Sequence, residues 1–369
     1  MSRTSTALLC ITALAGCDAV GPAADPVVDI AASAHTCAVT QRGAVWCWGL
    51  NTYGAVGDGT DTNRLTPVRV AGLTGIARVA TGYRHSCALD GDGRAWCWGA
   101  NFNGELGDGT TTHRFRPVRV SGNRIFRTIT TGEAYSCGLT VTLQLYCWGA
   151  WLAGTGTGGN FGTIPTRITG SYAAVSAGYE SACAVQSGGA GDTFCWGLNL
   201  WGQLGDNDSA SSNALRRVVT AETFVDVQVG AGFACGVRAD QAVFCWGHND
   251  RGQLGIDTVA VVRAPSRPAG IYDSLSARGA AHACAITLGE AYCWGLNGFG
   301  QLGDGTTDGG FAARPVAGGL VFAHIAAGLY HTCGVTRDQS LYCWGLGESG
   351  QLGTGDTSSR LTPTAIVLR

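Results

Sequence analysis

Fourteen of the 16 cysteines recur as close pairs: Cys37 with Cys47, Cys87 with Cys97, Cys137 with Cys147, Cys183 with Cys195, Cys235 with Cys245, Cys284 with Cys293, and Cys333 with Cys343. Each pair brackets a turn-forming segment, which would set its two thiols opposite each other on neighbouring strands, within bridging distance. Zinc is the alternative chemistry, but no Cys-x-x-Cys occurs and nothing groups four ligands. Seven disulfides are therefore expected, each contributing ~2–3 kcal/mol for so short a loop. Four histidines, His35, His85, His282 and His331, each stand two places before a paired cysteine, where the other copies carry Tyr135, Ser181 and Phe233. Imidazoles spaced one per repeat are too far apart to share an ion at ~2 Å, so they are read as backbone-bonded loop residues and no metal is assigned. Asp58, Asp108, Asp206 and Asp304 lack the alternating acidic spacing of a calcium loop. Arginines follow at comparable places, so Asp–Arg links are expected there.

Catalytic constellations are missing. There is no Gly-x-Ser-x-Gly, no His-Glu-x-x-His and no phosphate loop, and no cofactor is implied. What varies between copies is instead aromatic and basic. Within Asn-x-x-Gly segments stand Tyr53, Phe102, Trp151, Trp201, Arg251 and Phe299; within Gly-x-x-His segments stand Tyr83, Arg84, Tyr135, Tyr179 and Tyr330. Such residues make binding hot spots, or else fold back on their own unit. Arg114, Arg116, Arg119, Arg124 and Arg127 form a basic stripe, read as a solvated strand edge.

These residues must be positioned by a repeat. Cys-Trp-Gly begins at Cys47, Cys97, Cys147, Cys195, Cys245, Cys293 and Cys343, a period near 50. Each unit holds several short β-type segments, such as Ile76 to Ala80, Ser86 to Leu89, Arg94 to Trp98 and Pro117 to Val120. Asp90-Gly91-Asp92-Gly93 marks a hairpin. About four antiparallel strands per unit, seven times over, predict an all-β, seven-bladed propeller with one intra-blade disulfide per repeat. Trp48, Trp98, Trp148, Trp196, Trp246, Trp294 and Trp344 recur in every copy and are expected between blades.

The frame Gly-x-x-His-Ser/Thr-Cys-Ala-Leu, followed by Trp-Gly-x-Asn-x-x-Gly-Gln-Leu-Gly-Asp-Gly-Thr, resembles the regulator of chromosome condensation repeat. The resemblance covers about nine-tenths of the chain and implies the same seven-bladed propeller. Copy three departs from it at Ala150-Trp151-Leu152-Ala153, and copy five at Ile256. Exported bacterial members of this class include an enzyme inhibitor, which suits the aromatic loops.

Composition agrees with a folded, turn-rich chain. Of 369 residues, 58 are Gly, 45% are hydrophobic and 14% charged. All 24 basic residues are arginine, against 26 acidic ones, and a formal charge of −2 argues against a nucleic-acid partner. At the N-terminus, a short apolar stretch from Ala7 to Leu14 runs into Leu14-Ala15-Gly16-Cys17. That sequence resembles a bacterial lipobox, so residues 1–16 are expected to be a lipoprotein signal peptide, 17–29 the lipidated Cys17 and a tether, and 30–369 the propeller. The combined expectation is a monomeric, lipid-anchored, extracytoplasmic envelope protein. It would be non-catalytic and present one propeller face to an envelope protein or glycan. The alternatives are an envelope-polysaccharide hydrolase or lyase with a site drawn from several blades, and a structural spacer.

Overall fold

The computed structural model describes residues 25–150, 160–188, 191–257, 261–266, 271–279 and 281–369. Cys17, the signal peptide, most of the tether and Trp151 lie outside them.

Among the described residues, twenty-eight strands form seven four-stranded sheets, each a meander of consecutive antiparallel strands. The first blade comprises β1 (Val27–Ala32), β2 (His35–Thr40), β3 (Val45–Gly49) and β4 (Arg64–Arg69); the second comprises β5 (Ile76–Thr81), β6 (His85–Asp90), β7 (Ala95–Gly99) and β8 (Arg114–Arg119). The first strand of each blade lines the axis: β1, β5, β9 (Phe126–Thr131), β13 (Tyr172–Ala177), β17 (Asp226–Val229), β21 (Ser274–Ser276) and β25 (Phe322–Ala327).

In all seven hairpins the paired cysteines are direct cross-strand partners, as in Cys37↔Cys47 and Cys333↔Cys343. All seven disulfides are present, with Cα atoms 4.0–4.1 Å apart. Register demands this, because only residues sharing one rung of the ladder come so near. The glycine of Cys-Trp-Gly sits where the third strand shifts register against the fourth. Gly99 has φ +109°, and a Cβ there would stand 2.5 Å from Arg84 O. Only glycine fits, which explains its recurrence.

Most blade junctions share one set of bonds, although among the described residues the Trp148 and Trp196 indole N–H groups have no partner. Trp98 Nε1 and Ser86 Oγ both donate to Ala55 O of the preceding blade at 2.9 Å. His35 of that preceding blade bonds Ser86 Oγ through Nε2 at 2.5 Å. The same arrangement joins Trp344, Thr332, Gln301 O and His282. The tryptophans are thus inter-blade core, as their recurrence predicted. The histidines differ from expectation: each opens a strand and bonds a hydroxyl of the next blade, not a loop backbone.

The ring closes without a shared blade. β1 packs on β25, and Trp48 Nε1 and Thr36 Oγ1 donate to Gln351 O of the last blade at 3.0 and 2.9 Å. Val27, Ile30, Trp48, Val335, Leu352 and Ile366 form the core of this seam. Blades three to seven place Phe126, Tyr172, Phe224, Tyr272 and Phe322 at the foot of the inner strand, all buried, whereas the first two blades have the smaller Val27 and Ile76. A cleft of about 580 Å³ opens beside Val27, between Trp46, Tyr342 and Ile366.

Candidate functional site

An even number of strands per blade sends the loops after the first and third strands to the same face. The Gly-x-x-His and Asn-x-x-Gly segments therefore converge there, while the hairpin turns and inter-blade links occupy the other face. Blade count and strand count alone assign the aromatic residues to one surface.

The Asn-x-x-Gly loops are held from beneath by recurring side chains. Asn101 Oδ1 accepts from Leu106 N at 3.0 Å, and its Nδ2 donates to Thr110 O and Thr112 O at 3.0 and 3.1 Å. Asn51, Asn199 and Asn297 repeat the first bond at 2.8, 2.9 and 2.9 Å. The following glutamine then fixes the tip: Trp201 N donates to Gln203 Oε1, and Phe299 N to Gln301 Oε1, both at 2.9 Å. The predicted Asp–Arg links tie down the loop's far end, with Arg64–Asp58 at 2.5 Å, Arg114–Asp108 at 2.9 Å and Arg314–Asp304 at 3.1 Å. Their hydrogen bonds hold these carboxyls below the usual range, although partial burial opposes the shift. Among the described residues no group of three His, Cys, Asp or Glu could hold a metal.

On this rigid frame the variable side chains make an arc, in side-chain contact from Phe102 to Tyr179. The Tyr53 ring meets Phe102 edge-on at 4.9 Å, and both lie against His113, at 4.9 and 4.3 Å. Arg84 stands over Tyr53 at 5.8 Å and over Tyr83 at 4.9 Å. Tyr83 then meets Tyr179 edge-on at 5.9 Å. Tyr179 Oη donates to Glu133 Oε1 at 2.8 Å, and burial together with this carboxylate raises the phenol's pKa. A hollow of about 170 Å³ separates Tyr179 from Trp201, whose ring stacks on His248 at 4.1 Å. Phe102 is 50% exposed and Trp201 41%, so the arc is open surface at both ends. Tyr53 is held at φ +62°, a left-handed backbone that costs a tyrosine ~1–2 kcal/mol.

The remaining candidates separate. Phe299 and Tyr330 pair at 5.6 Å on blades six and seven, away from the arc. Arg251 is exposed and turned toward its neighbour Asp250, 3.3 Å away. Tyr135 is a correction: it is buried, and its Oη donates to Ser181 O at 2.8 Å, so it occupies the histidine position as core and offers no surface. The basic stripe is also divided. Arg114 serves Asp108, Arg124 covers the Tyr146 ring at 4.4 Å, and Arg127 lies on β9 at the axis. Sequence reading missed His113 and His248, since each stands at a variable position of the repeat, where other copies carry Asn63 or Ser211 and Leu198 or Leu296, and each adds a ring to the arc.

Glu133 and Glu180 are the acidic residues beside Tyr179, while Asp250 faces His248 and the buried Glu105 accepts from Asn103 N. Burial and the Glu133 charge raise the Glu180 carboxyl. Glu133 is committed to Tyr179, and the axial mouth beside it encloses only about 20 Å³. Neither hollow reaches the ~300 Å³ at which small-molecule sites begin.

Comparison with known proteins agrees with this architecture. The chain is similar to Prp20p of Saccharomyces cerevisiae, whose structure was reported with its binding to Gsp1p and histones, at 19% identity and TM-score 0.76, covering 93% of this chain and 87% of that one. It is similar also to human WBSCR16, at 18% identity and TM-score 0.76, covering 88% and 94% of the two chains. Identities this low establish the fold alone. No curated protein sequence matches the chain. Regulator of chromosome condensation (RCC1) repeats match residues 322–351 and 338–368, and an RCC1-like domain matches residues 21–318. With seven repeat-built blades and a family match across most of its length, the chain belongs to the RCC1-like domain family.

Proposed function

We propose that this protein is a non-catalytic binding propeller whose loop face captures a protein partner. The arc from Phe102 through Tyr53, Arg84, Tyr83 and Tyr179 to Trp201 carries this reading. Aromatic and arginine side chains provide most of the energy at protein interfaces, and they do so best when little ordering is needed on binding. Here Asn and Gln side chains already fix the loop tips, and Tyr53, beside Phe102, keeps a strained backbone, as recognition sites often do. The arc crosses four blades, a span suited to an interface of about 800 Å² per partner. The protein-binding neighbours on this fold are consistent with such a role.

The setting we propose is the bacterial envelope. Leu14-Ala15-Gly16-Cys17 supports lipid anchoring, and seven disulfides suit an oxidising extracytoplasmic compartment. Soluble protein beginning at Asp18 should retain a partner from envelope extract, and a Tyr53→Ala/Phe102→Ala/Trp201→Ala variant with unchanged melting should lose it. Leu288→Ala, on the opposite face, serves as control. Retention by the triple variant would place the binding surface elsewhere; retention of glycan alone would replace protein with polysaccharide as the ligand.

A further inference from the structure

The axial channel holds an arginine that forms no ion pair among the described residues. At the last position of the inner strand, before the loop, the other six blades carry Ala32, Thr81, Thr131, Ala177, Val229 and Ala327; at the matching place blade six carries Arg278. Its Nη2 crosses the channel to blade three, donating to Thr130 Oγ1 at 2.9 Å and Thr131 O at 3.1 Å. No Asp or Glu among the described residues forms an ion pair with it. An arginine does not shed its proton, so the enclosed charge must be met by hydrogen bonds or by an anion.

The spaces on its two sides are unequal. Toward the loop face the channel narrows to about 20 Å³, beside Thr81 and Thr131, whose buried hydroxyls have no protein partner. Toward the hairpin face it widens into a chamber of about 520 Å³, lined by Arg78, Arg127, Thr128, Ser176, Asp226 and Gln228 besides Arg278. Arg78 and Arg127 are exposed near the foot of β5 and β9, at the chamber's open end. Asp226 does not neutralise Arg278: its carboxylate accepts from Gln228 Nε2 at 3.0 Å, and burial raises its pKa. Asp29 accepts from Val79 N at 2.8 Å behind Arg78. Three guanidinium groups thus face one chamber against one lining carboxylate.

We propose that this chamber binds a small organic anion through a carboxylate or phosphate group, with Arg278 at its base and Arg78 and Arg127 at its rim. The planar guanidinium fork matches both groups, and Thr128, Ser176 and Gln228 supply neutral hydrogen bonds for the rest of the molecule. The volume lies within the ~300–1,000 Å³ of small-molecule sites and excludes a folded partner. The site is independent of the arc, since it opens on the opposite face.

Calorimetric titration with inorganic phosphate and with citrate, against sodium chloride of matched ionic strength, tests it. The expected result is saturable binding of at least one probe, weakened tenfold or more by Arg278→Gln and several-fold by Arg127→Gln, with Leu288→Ala unchanged. The relative affinity of the two probes distinguishes phosphate from carboxylate recognition. Arg127 is exposed, so Arg127→Gln keeps the test decisive should Arg278→Gln fail to fold. Absence of saturable binding to the wild type, or wild-type binding in every arginine variant that folds, would overturn the proposal.

Discussion

Acid should weaken the ring at its seams. His35, His85, His282 and His331 are fully buried, and burial pushes their pKa values down from 6.5, to about 3 for His35 and His331 and about 4 for His85 and His282. The unfolded chain binds these protons first, so stability is complete above pH 6.5 and is lost as pH falls toward 4. One pKa unit corresponds to about 1.4 kcal/mol, so at pH 5 each histidine costs about 2 kcal/mol, and four together up to about 8. Asp29, Glu105 and Asp226 act oppositely, because burial raises their carboxyls and the folded state takes their protons first. That offset subtracts from the histidine slope wherever the two titrations overlap. The four histidines by themselves supply a slope of up to about 5 kcal/mol per pH unit between pH 7 and 5.5. Urea midpoints followed by tryptophan fluorescence at pH 8, 7, 6.5, 6 and 5.5 would measure it. His85→Gln, which can still reach the Ser136 hydroxyl now 2.9 Å from His85 Nε2, should reduce the slope by about 1.4 kcal/mol per pH unit. A slope indifferent to His85→Gln would refute the assignment.

Three further outcomes are expected. Val27→Phe should add about 1–2 kcal/mol by filling space at the closing seam, where five other blades already carry an aromatic ring, and thermal melts should show it. Asn101→Ala should cost about 1–3 kcal/mol and raise hydrogen exchange at Leu106, because the Leu106 amide loses the bond it makes to Asn101 Oδ1. Cys17→Ser should shift the protein from membrane to soluble fractions on cell fractionation; unchanged partitioning would remove the anchor from the account.

The repeats reveal the fold because structure that every blade needs is written seven times. The Cys pairs, the tryptophans and the Asp–Arg links were legible for that reason. What joins one blade to the next was less so. His35 and Ser86 lie about 50 positions apart, and nothing local to either names the other. Tyr135 was misplaced because an aromatic residue in a loop motif and one in the core look alike until burial is known. Arg278 carried a usable signal, a single charged residue in a column of small ones, but its meaning depends on a channel that exists only once the ring is closed. The closure itself, by packing and without strand exchange, is invisible in any one repeat.

The central claim is that partners meet the loop face along the aromatic arc. A photo-crosslinking amino acid placed in intact cells at Phe102, at Trp201 and, as control, at Leu288 tests this most directly. The account predicts one discrete protein adduct shared by positions 102 and 201 and absent at 288; adducts at 288 alone, or none at either arc position, would contradict it.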